Sequence, residues 1–370
     1  MNFDLSDEQK MLAEQARGLL AERAPYDRLR ELVDAGAEWD EPLWRELAEM
    51  GFLGARIPEA YGGLGLADLD LGVISEELGR ANCALPFFSS IVCAADALAV
   101  AGSEAQKAVW LPLLASGEVV AAFANAEGKT GWRPAKPGVR FAGGELIGTK
   151  TPVADAGIAG VAIVVCAHNG RETLALVKLD QAGVTRTRLD SFDALRAHYR
   201  IDFDGAKAEL LDGADSDVID GVLNRAAVQA AFEAVGAAEA CVHMGRDYTM
   251  ERQMFGRPLA SYQAIKHKLA DILMATELAR SNAYYAGWAA NEAPDDLPLA
   301  AAAARLSSLE AFGAAARENL QVHGGIGYTF EANCHFYYRR ERTLALTLGP
   351  KGYWADQLVT AVRAQDGEAA

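Results

Sequence analysis

Three short stretches concentrate the residue types that do chemistry. The run RDYTMERQMFGRPLASYQ, residues 246–263, sets Arg252, Phe255 and Gln263 close together. An arginine fork makes charge-assisted hydrogen bonds to phosphate-like anions. A glutamine adds hydrogen bonds without adding charge. The run QVHGGIG carries Gln321, Gly324 and Gly325. Paired glycines remove side chains, so backbone N–H groups can approach an anion; a GGIG alone is equally a helix connection. The third stretch, RRERTLALTLGPKGYW, is notable for what it lacks. No carboxylate occurs between Arg342 and Asp356, in a chain with 51 Asp and Glu.

The elements that position these stretches follow from pattern. Residues 1–118 read as helices. Ser6 followed by Gln9 fits a capping box, and Met11, Leu12, Ala16, Leu19 and Leu20 form a helical stripe. RIPEAYGGLGLADLD is a breaker-rich loop. From about residue 119 the pattern changes to short β-rich runs: VVAAFANAEG, GVRFAGGELIGTKTPV, GVAIVVCA, ETLALVKLD and YRIDFDG. After Gly213 long helical stretches return, broken at FGRPL. The expected domains are 1–118 helical, 119–212 β and 213–370 helical, an α+β chain. The tail QDGEAA is expected to fray.

Bulk properties bound the function. The chain has 370 residues, 51% hydrophobic and 23% charged, which suits a soluble globular protein. A formal net charge of -16 argues against nucleic-acid binding, which needs a basic face. It leaves room for an anionic small molecule on a local basic patch. Five scattered cysteines suit neither a disulfide framework nor a zinc site, and read as buried thiols in a reducing cytoplasm. The acidic amphipathic start, MNFDLSDEQKMLAEQ, does not resemble a signal peptide. No run is apolar for long enough to predict a membrane span.

Four quoted stretches carry a family resemblance in this order: GFLGARIPEAYGGLGLADLDLGVISEELGRANCALPF, QKAVWLPLLASGE, RDYTMERQMFGRPLASYQAIKHKLADI and ENLQVHGGIGYTFEANCHFYYRR. Together they resemble the acyl-CoA dehydrogenase family across nearly the whole chain. The resemblance implies an N-terminal helical domain, a middle β domain and a C-terminal four-helix bundle. It implies FAD as cofactor, an acyl-CoA substrate, electron transfer flavoprotein as acceptor, and a dimer of dimers in which the ADP half of the flavin reaches a neighbouring subunit. Arg252, Gln321, Gly324 and Gly325 then match pyrophosphate contacts. Phe255 matches a ring packed on the flavin or adenine, and Gln263 a neutral hydrogen-bonding partner.

The family chemistry needs a carboxylate that removes the proton α to the thioester while hydride leaves the β-carbon. In most members this is a Glu before a Gly, about two dozen residues past the Gly-Gly pair. Counting on from Gly324-Gly325 reaches Leu348-Gly349. A few members place the Glu before an Arg on the first bundle helix; here that pair is Asn224-Arg225, and Arg225 is either the family's arginine or a surface helix charge. The β domain also departs from the family. Gly-Ser-Asp is absent, and Pro152 and Ala154 stand where a flavin-packing Trp and Thr are expected. Trp132 is an alternative aromatic surface. Glu331, Glu341, Asp247 and Glu251 are the nearest acids and read as structural or solvated charges, as His323 and His335 read as structural. No catalytic residue is therefore assigned and no metal is expected.

These losses favour a subunit without a base, paired with a catalytic paralogue on a bulky or steroid-derived acyl-CoA. The alternatives are a self-sufficient dehydrogenase with a displaced base, a non-redox relative, or a monooxygenase on the same fold.

Overall fold

In the computed structural model, residues 5–365 and 367 are described; most of the C-terminal tail lies outside them. Among the described residues, eleven α-helices and nine strands follow one another in three blocks. The first block holds α1 Asp7–Arg23, α2 Tyr26–Asp34, α3 Glu41–Glu49, α4 Asp68–Ala81, α5 Asp96–Ala101 and α6 Glu104–Ala115. The second holds β1 Ala121–Ala124, β2 Arg140–Ala142, β3 Glu145–Ala154, β4 Val161–His168, β5 Arg171–Lys178, β6 Val184–Leu189 and β7 His198–Leu210. The third holds α7 Ser216–Glu251, the ribbon β8 Gln253–Met254 and β9 Arg257–Pro258, then α8 Gln263–Glu292, α9 Leu297–His323, α10 Cys334–Leu346 and α11 Lys351–Gln365.

Local signals act as the sequence predicts at several ends. Ser6 caps α1 reciprocally with Gln9, at 3.2 and 3.0 Å. Ser103 and Gln106 do the same for α6. Of the α1 stripe, Ala16 and Leu20 are buried while Met11 is exposed, so the buried stripe is narrower than expected. The stretch before α5 is a fully helical but wider π-turn, Phe88–Ala95, almost wholly buried. All five cysteines are buried thiols, none of them in a disulfide.

Contacts divide the chain into two compact units. One comprises residues 1–28, 68–83 and 227–370. Its helices approach closely because small residues line them. A Cβ at Gly236 of α7 would overlap the Glu76 carbonyl of α4, and one at Gly79 would overlap the Glu233 carbonyl. Ala234, Ala237, Ala238, Phe312, Ala315 and Tyr337 form a buried cluster beside this crossing. A charge network runs along it: Arg80 reaches Glu77 at 3.0 Å and Glu239 at 2.9 Å, and Arg280 reaches Glu76 at 3.3 Å. Each buried carboxylate there has a guanidinium partner, as burial demands.

The other unit comprises residues 29–67 and 84–226. Its sheet closes on itself: β4 pairs with β5, β5 with β7, β7 with β3, β3 with β2, and β2 returns to β4. β1 runs parallel to β4, and β6 pairs with β7 at the sheet's side. Val161 to Cys166 of β4 are all buried, which explains a continuous apolar run rather than an alternating one. β6 carries VTRTRL with its central residues exposed. It therefore shows no apolar alternation, and the sequence reading passes over it.

Candidate functional site

The helical unit brings two of the sequence motifs to one end of its bundle. Tyr248, near the end of α7, stacks on His323 at the end of α9 with ring centroids 4.1 Å apart. Its hydroxyl donates to the His323 carbonyl at 3.4 Å. Arg252 lies one turn past Tyr248, and its N–H donates to the Tyr248 carbonyl at 2.9 Å. Gly324 follows His323 directly. The stacked pair thus anchors both the Arg252 loop and the Gly-Gly loop.

The Arg252 loop is pinned by its own backbone. Leu259 N–H donates to the Arg252 carbonyl at 2.7 Å, and Tyr262 hydroxyl to the Met254 carbonyl at 2.8 Å. Arg257 lies over the Tyr262 ring at 4.0 Å. Between Met254 and Arg257 the hairpin turns on two residues, Phe255 and Gly256, with φ of +50° and +77°. This is the geometry of a tight two-residue hairpin. Glycine meets it freely, whereas a phenylalanine there is strained. Its ring is 91% exposed. The turn therefore presents an aromatic face outward without reward from its own unit.

Gln263 is the first residue of the 30-residue helix α8, exposed beside free helix-terminal N–H groups. At the other motif, Gly324 has φ +65°, and a Cβ on Gly324 or Gly325 would meet nothing within 4 Å. Gly327 is different: a Cβ there would crowd the Leu320 carbonyl, so it is a packing glycine. Gln321 is exposed and its amide oxygen accepts from Tyr328 at 3.4 Å. Exposed cationic and amide groups, an open double-glycine backbone and an outward aromatic ring fit the nucleotide half of a dinucleotide.

The acid-free run forms the turn between α10 and α11. Leu348 has φ +60° and is buried, followed by Gly349 at φ +90°. The Leu348 carbonyl accepts from the Trp354 indole at 2.8 Å. Arg305, fully buried on α9, donates to the Thr347 carbonyl at 2.5 Å and to the Leu344 carbonyl. Its Nε and Nη1 make no hydrogen bond, and burial pushes its pKa down to about 10. An apolar side chain in left-handed backbone fills the position, and no acid from residues 343–355 can replace it.

The other acids are placed elsewhere or already paired. Glu341 is buried and ion-paired with Arg342, with burial raising its carboxyl. Asp247 is exposed and paired with Arg246 at 2.7 Å, while Glu251 and Glu331 are exposed. His323 Nδ1 sits 2.7 Å from the Asn319 carbonyl, and His335 lies against the rings of Phe330 and Phe336.

Within the β-rich unit, Pro152 is exposed and Ala154 half-buried on β3. The loop before β2 is held by ions. Lys150, fully buried, donates to the Glu127 carboxylate at 2.7 Å and to the Asn125 carbonyl at 2.8 Å. Glu127 also accepts from the N–H groups of Gly138 and Val139. Burial raises its carboxyl, but Lys150 and the two N–H groups hold it below the ordinary value. Trp132 is half-buried, its carbonyl accepting from Asn125 at 2.9 Å. Arg133 fixes the same loop to Glu172 at 2.9 Å and to Asp220.

Arg225 is not a solvated helix charge. Its Nε donates to Asp96 at 2.9 Å, and Asp96, 1% exposed at its side chain, also holds Arg56. Sequence reasoning missed this cluster because its members lie 40 and 129 positions apart. No local spacing signals it. Among the described residues, no group of His, Cys, Asp and Glu could hold a metal. No described helix is long and apolar enough to cross a membrane.

Comparison with known proteins settles the family. The acyl-CoA dehydrogenase N-terminal domain model matches residues 6–118 and the C-terminal domain model residues 216–362. Acyl-CoA dehydrogenase IpdE2 of Mycobacterium tuberculosis is 30% identical over 335 residues, covering 90% of this chain and 91% of that protein. The chain belongs to the acyl-CoA dehydrogenase family. It has the family fold of N-terminal helices, middle β domain and C-terminal helices, and the family is FAD-dependent. Two solved structures are similar throughout. A steroid acyl-CoA dehydrogenase, Tcur3481-Tcur3483, gives a TM-score of 0.90 at 29% identity, covering 98% of this chain and 99% of that one. The ChsE4-ChsE5 complex from Mycobacterium tuberculosis gives 0.90 at 25% identity, covering both chains fully at 100%.

Proposed function

We propose that this chain is the subunit without a base in a heteromeric, FAD-dependent acyl-CoA dehydrogenase that desaturates a bulky, steroid-derived acyl-CoA. The observation that carries this reading is Leu348. Most family members are expected to carry the carboxylate there, and the turn instead buries an apolar side chain, with the Trp354 indole and Arg305 bonded to the turn's carbonyls. Asn224 at the alternative position has no acidic oxygen either. The similarity to a steroid acyl-CoA dehydrogenase and to a two-component complex supports the pairing and the substrate class.

In this reading the intact end of the bundle serves the neighbour. Arg252 meets the pyrophosphate of FAD with its guanidinium. Gly324 and Gly325 offer backbone N–H groups to the same anion. Phe255 covers a ring of the cofactor, which offsets the strain of its turn. Gln263 and Gln321 add uncharged hydrogen bonds. Bound flavin would accept the hydride, and electron transfer flavoprotein would reoxidise it. The proton leaves to a base on the paralogous subunit.

Co-expression with a paralogous dehydrogenase subunit tests the proposal. The expected product is a stable complex with one flavin per unlike pair, and an isolated chain nearly free of flavin. An isolated chain that binds its own flavin fully and bleaches with an acyl-CoA would establish the self-sufficient alternative instead.

A further inference from the structure

The β-rich unit contains a cleft of about 740 Å³ that the reading above does not use. One wall is α3, the other is the segment 116–120 between α6 and β1, and Ile158 lies at one side. A specific contact ties the two walls together. Trp44 is buried on α3 as its floor, and its indole N–H donates to the Gly117 carbonyl at 3.1 Å. A Cβ on Gly117 would lie 2.9 Å from that indole nitrogen, and the residue has φ +70°, so glycine is required on both counts. Trp39 stands half-buried against Trp44, with ring centroids 6.1 Å apart at 65°.

The charges around this aromatic pocket do not balance. The lining carries Glu41, Arg45, Glu49 and Glu118. Arg45 is taken by Glu41 one turn earlier on the same helix. Glu118 accepts a hydrogen bond from Ser116 at 3.2 Å, and among the described residues neither it nor Glu49 has an ion-pair partner. Glu49 and Glu118, both exposed, thus line the cleft together with Trp39, Val119 and Ile158, and Arg45, Ala48 and Ser116 complete much of the rest.

We propose that this cleft binds a small organic cation of the alkylated-ammonium class. The apolar body of such a ligand packs on Trp39, Val119 and Ile158. Its charge lies between the indole face and the Glu49 and Glu118 carboxylates, the combination that aromatic cages use for quaternary ammonium groups. The volume falls in the range of small-ligand sites. A free carboxylate or phosphate is disfavoured by the same charges. The inference does not rest on the assignment of the chain as a dehydrogenase subunit.

The test uses the full chain and phenyltrimethylammonium, titrated by calorimetry and by indole fluorescence. Its uncharged isostere, with carbon in place of nitrogen, is the control. Saturable binding is expected, with the isostere about tenfold weaker or more. Trp39→Leu should abolish the fluorescence response. Glu49→Gln with Glu118→Gln, both on the exposed rim, should weaken binding about fivefold or more and flatten its salt dependence, while leaving thermal unfolding unchanged. Absence of saturation, equal binding of the isostere, or unchanged binding in the Gln pair would overturn the proposal. Preference for a lysine peptide over the free cation would assign the cleft to a protein partner and equally overturn it.

Discussion

The Trp354 indole N–H donates to the Leu348 carbonyl at 2.8 Å, across the turn that joins α10 to α11. This bond, with that of Arg305 to Thr347, holds a leucine in left-handed backbone at the position that counting from Gly324-Gly325 expects to carry the base. Trp354→Phe keeps a buried ring and removes the donor. It should cost about 1–2 kcal/mol, the usual penalty for a buried carbonyl losing its partner. Urea unfolding followed by circular dichroism measures it.

The residues proposed to face the cofactor should separate stability from binding. The Arg252 side chain is exposed, and a Cβ on Gly325 meets only open space. Arg252→Gln and Gly325→Ala should therefore leave the unfolding midpoint of the isolated chain nearly unchanged. In the co-expressed complex each should lower flavin content. Loss of a charge-assisted bond is worth about 1.5–3 kcal/mol, roughly a tenfold or greater loss of affinity. Released flavin per complex, read by absorbance, checks this.

The buried Lys150–Glu127 pair gives a pH signature. The Glu127 carboxyl lies below its ordinary value of 4.5, so its contribution is complete above pH 4.5. It is lost as pH falls through the lower folded value. Glu127→Gln leaves Lys150 buried without a counter-charge and should cost about 3–5 kcal/mol near neutral pH. The difference between parent and variant should narrow as pH drops below 4.5. Denaturant midpoints across that range decide it.

Asp96 ties Arg225 of the first bundle helix to Arg56. Asp96→Asn keeps the shape and removes the charge that both guanidiniums share. A loss of about 3–5 kcal/mol is expected, against a smaller loss for Arg56→Met, which leaves Asp96 its bond to Arg225. Thermal unfolding of the two variants should rank them in that order. The opposite order would show that Arg56 is the main partner.

How much of this was legible depends on the range of each signal. Ser6 with Gln9, and the buried run of β4, are local patterns and appear in the structure as read. The residues Arg252, Gln263, Gln321, Gly324 and Gly325 are expected as a set from the family resemblance, and the structure places each of them exposed or open to solvent. Their shared location rests on the stacking of Tyr248 on His323, which no spacing announces. β6 was missed because an edge strand with exposed Thr and Arg has no hydrophobic period. The Asp96 cluster, the Arg305 contacts and the Trp39 cleft join residues distant in sequence. Only folding brings them together.

The most direct test of the account is an anaerobic titration of the co-purified complex after its partner subunit's base is changed from Glu to Gln, with this chain unaltered. Visible flavin absorbance is followed as a steroid side-chain acyl-CoA is added. If no residue of this chain accepts the α-proton, the flavin stays oxidised while the ligand still binds. Bleaching at the rate of the unaltered complex would show that this chain supplies a base, and the account built on Leu348 would fail.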